Sequence, residues 1–462
     1  MSDTQRLNDN IPSDVREICA RLREGGHRSW IVGGCVRDEL LSQLEGRSQR
    51  DIRGDWDIAT SARPEQVQKL FRRVIPTGIQ HGTVTVMVKN TGYEVTTLRG
   101  ETEYSDGRRP DSVYFVDDIK DDLARRDFTI NAIAYDPLED KLIDPFNGIL
   151  DLRARMLRAV GDPGVRFAED GLRVLRAARF VATLEVDLDP NTERAIGASL
   201  DSYRKVSAER VRDEWLKATK ARQPSRAFEV MKNNGLLAIT APELLESVGC
   251  EQNRHHAFDV WGHAMHCLDN CPKNPVLRIA GLLHDVGKPR SRAFSDKTSD
   301  YTFYEHERIG AEMADPMLER LRFSNDERTR IVALVRHHLI CYDGTWSDAA
   351  VRRWVRRVSP ELVADLYALS EADVQAKGKD ASEDLAHITQ LKAHVEKVIA
   401  QGAAFNVKDL AIDGKVLISE LGVKPGPDIG RVLRALLEEV IEEPTLNTKE
   451  ALLERAGKLL QS

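Results

Sequence analysis

Two short stretches near the start of the chain combine residue types that do chemistry together: Gly33-Gly34-Cys35-Val36-Arg37-Asp38, and Gly54-Asp55-Trp56-Asp57-Ile58. A glycine pair at a strand-to-helix turn presents bare backbone N–H groups to an anion, and Arg37 follows one turn later. Asp55 and Asp57, at i and i+2 on a strand, point to the same face. Hard oxygen ligands beside an anion cradle suit Mg2+ and a phosphorylated ligand. The expected chemistry is phosphoryl or nucleotidyl transfer, with two Mg2+ ions on Asp55 and Asp57 activating a hydroxyl and stabilising in-line attack on an α-phosphate. Glu94, in the alternating stretch Tyr93 to Arg99, reads either as a third carboxylate or as a solvent-facing strand residue.

A second constellation lies in a His-rich helical region from His255 to about Ala376. His263, the adjacent His284-Asp285 and Asp373 offer imidazole and carboxylate ligands from three helices. Such a mixed set suits a divalent transition metal such as Ni2+, Co2+ or Mn2+. His306 and His337 are the candidates for a second metal or phosphate site, while His256, His266 and His338 receive no role. Cys267 and Cys271, at helical spacing, read as packing.

The elements that must position these groups change character along the chain. The first third alternates strands (Trp30 to Val32, Trp56 to Ala59, Thr83 to Lys89, Tyr93 to Leu98) with helices (Cys35 to Leu44, Pro64 to Phe71). The Gly-rich stretch Glu101 to Pro110 reads as a mobile loop beside the first site. From about Asp162 onward the pattern is helical, with one helix expected over Glu169 to Val181. The fold class is therefore α+β: a small head with a mixed sheet, then a long all-α remainder. Expected domains are a head (1–160), a neck (161–225), a helical body (226–380) and a helical tail (381–462).

At 462 residues the chain is long enough for several cores, and its net charge of −7 excludes a general nucleic-acid coat protein while allowing local basic grooves. Six scattered cysteines without a C-x-x-C pair, and no signal or membrane-spanning stretch, lead to the expectation of a reduced, cytoplasmic protein with no membrane partner.

In order, GGCVRD, DWDIAT, HGTVTV, EVTTLR, RRPD, RRDFTINAIA and EDGLRVLRAARF resemble the bacterial class II tRNA nucleotidyltransferase and poly(A) polymerase family. The resemblance implies a polymerase-β-type head with tRNA, CTP and ATP as partners. It implies that Gly33, Gly34, Arg37, Arg126, Asp127 and Asn131 bind the nucleotide, with Asp127 facing the ribose 2′-OH and arginines on the triphosphate. Asp170 and Arg173, at i and i+3 on one helix face, would address the base edge, with Arg176 and Arg179 beside them. Glu209-Arg210 would brace that helix. The His-rich region resembles the HD phosphohydrolase superfamily, which implies hydrolysis of phosphate monoesters or 2′,3′-cyclic phosphates; an inactive scaffold is the alternative. The connection 42–54 is longer than the family spacing, and the retained loop 101–109 disfavours a CC-only enzyme. The leading expectation is CCA addition. An A-adding enzyme, a poly(A) polymerase, or an RNA-binding protein with phosphohydrolase activity alone are the alternatives.

Overall fold

The computed structural model describes residues 3–46, 56–79, 82–101, 113–402 and 404–461. It divides into two compact units, Met1–Thr240 and Ala241–Ser462.

In the first unit, strands β1 (Ser29–Val32), β2 (Asp57–Thr60), β3 (Val74–Gly78), β4 (Thr83–Val88), β5 (Thr91–Thr97), β6 (Ala134–Asp136) and β7 (Lys141–Ile143) form one sheet in the order β3-β4-β5-β2-β1-β6-β7. The β2–β5 pair is parallel and the other pairs are antiparallel. Alternation dictates which face is buried: β4 reads Thr-Val-Thr-Val and buries Val84 and Val86. Trp30, Val32, Ala59, Leu98, Ile119, Leu123 and Ala134 close a core around the centre of the sheet. The chain leaves β1 through Gly33 at φ +81° and enters the helix Gly34–Glu45 at once. This backbone conformation costs a residue with a side chain about 1–2 kcal/mol.

The helices that follow include Pro163–Glu169, Leu172–Thr183, Pro190–Ala198, Ala208–Ala218 and Ser225–Asn233. The single helix expected over Glu169 to Val181 is instead two. Asp170 is extended (φ −143°, ψ 106°), and Gly171 packs so closely that a Cβ there would sit 2.2 Å from the Ser202 carbonyl oxygen. Trp215 meets Phe228 edge-on at 5.1 Å, tying the Ser225–Asn233 helix into this unit.

Among the described residues, the second unit is helical apart from the hairpin Ala293–Ser295/Asp300–Thr302. Helices Val260–Asn270, Pro275–Leu283, His306–Arg320, Asn325–His337 and Val363–Ala376 surround the histidines. The helices Gly414–Leu421, Pro427–Glu442 and Lys449–Gln461 share a separate apolar cluster that includes Leu417, Val432, Leu436, Val440 and Leu452. Arg352 caps it, donating to the carbonyls of Ile441 and Glu442 near the end of the middle helix of these three. Among the described residues, no helix is long and apolar enough to cross a membrane.

Candidate functional site

The end of β1 and the start of β2 lie side by side, with Val32 opposite Asp57. A Cβ on Gly33 would stand 3.5 Å from Asp57 Oδ2 and 3.2 Å from Arg126 Nη1, so the bare glycine lets backbone, carboxylate and guanidinium converge. Asp55 lies outside the described residues, as do residues 102–110 of the expected loop and 47–54 of the long connection. In the parallel pair Ile58 is opposite Val95. One residue earlier, Glu94 takes the register position opposite Asp57 and is exposed, without lining the cleft.

That cleft has a volume of about 500 Å3 and is lined by Gly33, Gly34, Arg37, Asp57, Arg125, Arg126, Asp127, Asn131, Asp170, Leu172, Arg173, Arg176, Arg179, Phe180 and Arg210. Seven arginines against three aspartates make it a strongly cationic concavity, the field a polyphosphate requires.

A continuous network runs across its floor. Arg37 Nη1 donates to Asn131 Oδ1 at 2.6 Å, and Asn131 Nδ2 donates to Asp127 Oδ1 at 2.9 Å. The Phe128 N–H adds 2.8 Å to the same oxygen, while Arg176 Nε and Nη2 reach Asp127 Oδ2 at 2.8 and 2.5 Å. Four donors fill the acceptor sites of this carboxylate. A ribose hydroxyl therefore reaches Asp127 only by displacing one of them, and in this geometry Asp127 orients Arg176 and Asn131. Burial would raise the Asp127 pKa, but the Arg176 charge and the bonds from Asn131 and Arg176 hold it well below the usual carboxylate range. A depressed pKa of this kind stabilises the fold above the unfolded value, about 3.9, and the contribution fades as pH falls through the folded value. Asp127→Asn is expected to lose about 2 kcal/mol of unfolding free energy at neutral pH. Urea titration at several pH values checks this, the gap to wild type narrowing below about pH 4.

Asp122 was not singled out by the sequence. Its buried carboxylate binds Arg125 at 2.8 Å and Arg126 at 3.3 Å, holding both arginines. Desolvation opposes its charge, yet the two guanidinium groups lower its pKa. The signal was the i,i+3 and i,i+4 spacing at the end of the short helix Ile119–Ala124.

Asp170 and Arg173 both line the cleft, but they do not share a helix face, because the helix breaks between them. Arg210 grips Asp170 with two bonds, at 3.1 and 2.6 Å. Arg173 pairs with Glu169 and donates to the carbonyls of Arg166 and Arg125, each at 3.0 Å. Arg179 Nε meets the buried Glu214 at 2.5 Å.

In the second unit His263, His284, His306 and His338 form one buried cluster. His263 Nε2 lies 3.1 Å from His284 Nε2 and 2.9 Å from Asp373 Oδ1. His306 Nε2 lies 3.3 Å from His338 Nε2. Asp285 stands between the pairs: Oδ2 is 3.4 and 3.2 Å from His263 and His284, and Oδ1 is 3.3 and 3.7 Å from His306 and His338. Each of His284, His306 and His338 has Nδ1 at 2.7–2.8 Å from a carbonyl three residues back, of Gly281, Phe303 and Val335. Nδ1 therefore carries a proton and donates it, which turns Nε2 of each ring into the cluster. Two ring nitrogens 3.3 Å apart either share a proton or ligate one cation. Although burial opposes charge, Asp285 and Asp373 push the His284 pKa up to about 10. Burial and the neighbouring His284 push His338 down to about 3. The cluster resolves into two candidate ligand triads, His263-His284-Asp373 and Asp285-His306-His338.

His338, and not the expected His337, joins the cluster. His337 ends its helix, where burial, with the charges of Arg357 and Arg336, lowers its pKa. His256, also without a role in that reading, packs edge-on against His263 at 4.9 Å.

Residues 29–158 match the family described as Poly A polymerase head domain, 185–247 the probable RNA and SrmB-binding site of polymerase A, and 304–456 the putative tRNA nucleotidyltransferase domain 2. Head sheet, cleft and these matches define a nucleotidyltransferase with a poly(A)-polymerase-type head. The chain is 32% identical over 456 residues to the CCA-adding enzyme of Ligilactobacillus salivarius, covering 98% of both chains. It is 32% identical over 471 residues to that of Limosilactobacillus fermentum, covering 98% of this chain and 99% of the relative. The chain belongs to the CCA-adding enzyme family. Its structure is similar to that of the Bacillus stearothermophilus CCA-adding enzyme in complex with CTP (TM-score 0.71, 26% identity, covering 100% of this chain and 99% of that one). It also shares the fold of the Thermotoga maritima CCA-adding enzyme (TM-score 0.57, 19% identity, 99% of each chain).

Proposed function

We propose that the chain extends the 3′ end of tRNA with C, C and A, taking CTP and ATP and using no nucleic-acid template. The observation that carries this reading is the cleft in which Asp57, the Gly33-Gly34 turn and seven arginines meet. The CTP complex of the similar Bacillus stearothermophilus enzyme supports it. Asp55 and Asp57 are the residues that would hold Mg2+, with Glu94 in the register position beside Asp57. When bound, the ions neutralise phosphate charge and lower the pKa of the RNA 3′-hydroxyl. The N-terminal end of the Gly34–Glu45 helix, with Arg37, Arg126, Arg176 and Arg179, binds the triphosphate, and Asn131 orients Arg37. Asp170, fixed by Arg210, and Arg173 supply an acceptor and a donor fork for the Watson–Crick edge of the base from either side of the helix break. In this reading residues 1–160 carry the transfer, 161–225 read the base and 381–462 hold the tRNA. Incubation with labelled CTP, ATP and tRNA lacking CCA tests the metal requirement: EDTA is expected to abolish incorporation and excess Mg2+ to restore it. Full incorporation in EDTA would contradict the carboxylate assignment.

A second activity is favoured by the facing imidazoles. We infer that His263, His284, Asp285 and Asp373, with His306 and His338, hold divalent metal of the Ni2+, Co2+ or Mn2+ class in an HD-type phosphohydrolase centre within residues 226–380. All of these are nitrogen or carboxylate donors, the set such ions accept. Lys288, 2.6 Å from Asp285 Oδ2, lines the adjoining cavity and is placed to bind a phosphate oxygen.

A further inference from the structure

Phe180 sits on the cleft face of the Leu172–Thr183 helix and is only 3% exposed. Apolar periodicity alone makes it a core residue, but its surroundings are cationic. The guanidinium carbons of Arg37 and Arg176 each lie 5.2 Å from the ring centroid, and that of Arg179 lies 3.9 Å away. All three fall within the range, about 6 Å, over which an aromatic quadrupole attracts a cation. Their polar partners differ: Asn131 and Asp38 for Arg37, Asp127 for Arg176, Glu214 for Arg179. The ring is what they share. Phe128 meets it edge-on at 5.7 Å and 85°, which fixes its plane.

We propose that Phe180 is a positioning residue for the incoming nucleotide, its ring gathering Arg37, Arg176 and Arg179 into the arrangement that receives the triphosphate. The inference rests on the nucleotide-binding reading of the cleft. Three converging cations repel one another; Asp38, Asp127 and Glu214 each offset this for one guanidinium from outside the group, and the ring is the group placed against all three. A carboxylate in the ring's place would also offset the repulsion, but it would cancel the positive field and repel the phosphates. An aromatic face attracts the cations while carrying no net charge, so the cleft keeps its attraction for an anion. Leucine would fill much of the same volume and supply none of this.

Isosteric fluorination separates the electrostatic role from packing. In the full chain, position 180 is replaced through nonsense suppression by 4-fluoro-, 3,5-difluoro- and 3,4,5-trifluorophenylalanine. Each added fluorine makes the ring face less negative with little change in shape. CTP and ATP affinity is expected to fall stepwise, by about tenfold across the series, with the loss expressed in KM more than in kcat. Phe180→Leu is expected to weaken binding at least as much as the trifluoro variant. Equal affinity across the fluorinated series would overturn the proposal, since a packing residue does not sense ring potential. If the unmodified chain binds neither CTP nor ATP, the reading of the cleft itself fails, a result distinct from a flat fluorine series.

Discussion

Asp57→Ala is expected to lower incorporation of labelled CTP into tRNA by on the order of 10^3-fold or more, because in the proposed role Asp57 holds Mg2+ at the reacting centre, and losing it removes several kcal/mol of transition-state stabilisation. The fold should survive. Asp57 is the first residue of β2, and the buried work of that strand is done by Ile58, Ala59 and Thr60. Its pairing with Val32 is through the backbone, which alanine retains. Thermal unfolding and circular dichroism are expected to stay close to wild type. The Asp55→Ala/Asp57→Ala double variant should behave alike, because residues acting on one centre do not add. Phosphate release from a monoester should persist in both, since the histidine cluster belongs to the other compact unit. Loss of both activities in a folded variant would contradict two separate sites.

Asp285→Asn is expected to abolish metal retention and lower phosphate-monoester hydrolysis at least about 100-fold, a large effect because Asp285 belongs to one candidate triad and its other oxygen lies 3.2–3.4 Å from both histidines of the other. Asp285 is 2% exposed, and its two oxygens face His263 and His284 on one side and His306 and His338 on the other. Burial disfavours its charge, but His284 and Lys288 hold its pKa well below the usual range. The carboxylate is thus ionised across the working pH range. Asp285→Ala should also destabilise the fold, by about 3–5 kcal/mol, because Lys288 loses its buried partner. The isosteric asparagine separates metal loss from unfolding. Elemental analysis after dialysis against Mn2+ measures the metal directly. His338→Ala should lose metal in the same assay, and His337→Ala should retain it. Nucleotide addition by Asp285→Asn should remain near wild type. Retention of metal and hydrolysis by Asp285→Asn would reduce the cluster to a structural one.

The contrast between His337 and His338 shows what a sequence carries and how it is overlooked. Ile331, Leu334 and Val335 are buried at i, i+3 and i+4, and His338 continues that face at i+7. The signal for His338 was therefore present in the apolar pattern. His337 is rotated about 100° away from it, as any neighbour on a helix is. The head was legible because its information is local: alternating β-branched residues mark β4 and β5, and a glycine pair marks the turn into the first cleft helix. The helix break at Asp170-Gly171 was not, since the apolar period runs on across it. At the break Asp170 is extended and its side chain accepts from the Leu172 N–H as a cap, while the bare Gly171 admits the Ser202 carbonyl, a tertiary contact. The cations around Phe180 were hidden for the same reason. Arg176 and Arg179 are its neighbours in sequence, but Arg37 arrives from a distant helix and turns a core phenylalanine into the centre of an arginine cluster.

The central claim is that protein side chains choose C, then C, then A. The most direct measurement is single-nucleotide gel analysis of tRNA ending at the base before CCA, incubated with the full chain and CTP alone, ATP alone, or both. CTP alone is expected to add two nucleotides and stop, ATP alone to add none, and the two together to add three and stop. No C incorporation would contradict the account, leaving an A-adding enzyme if ATP adds one residue to tRNA ending in CC, or a poly(A) polymerase if ATP alone gives a long ladder.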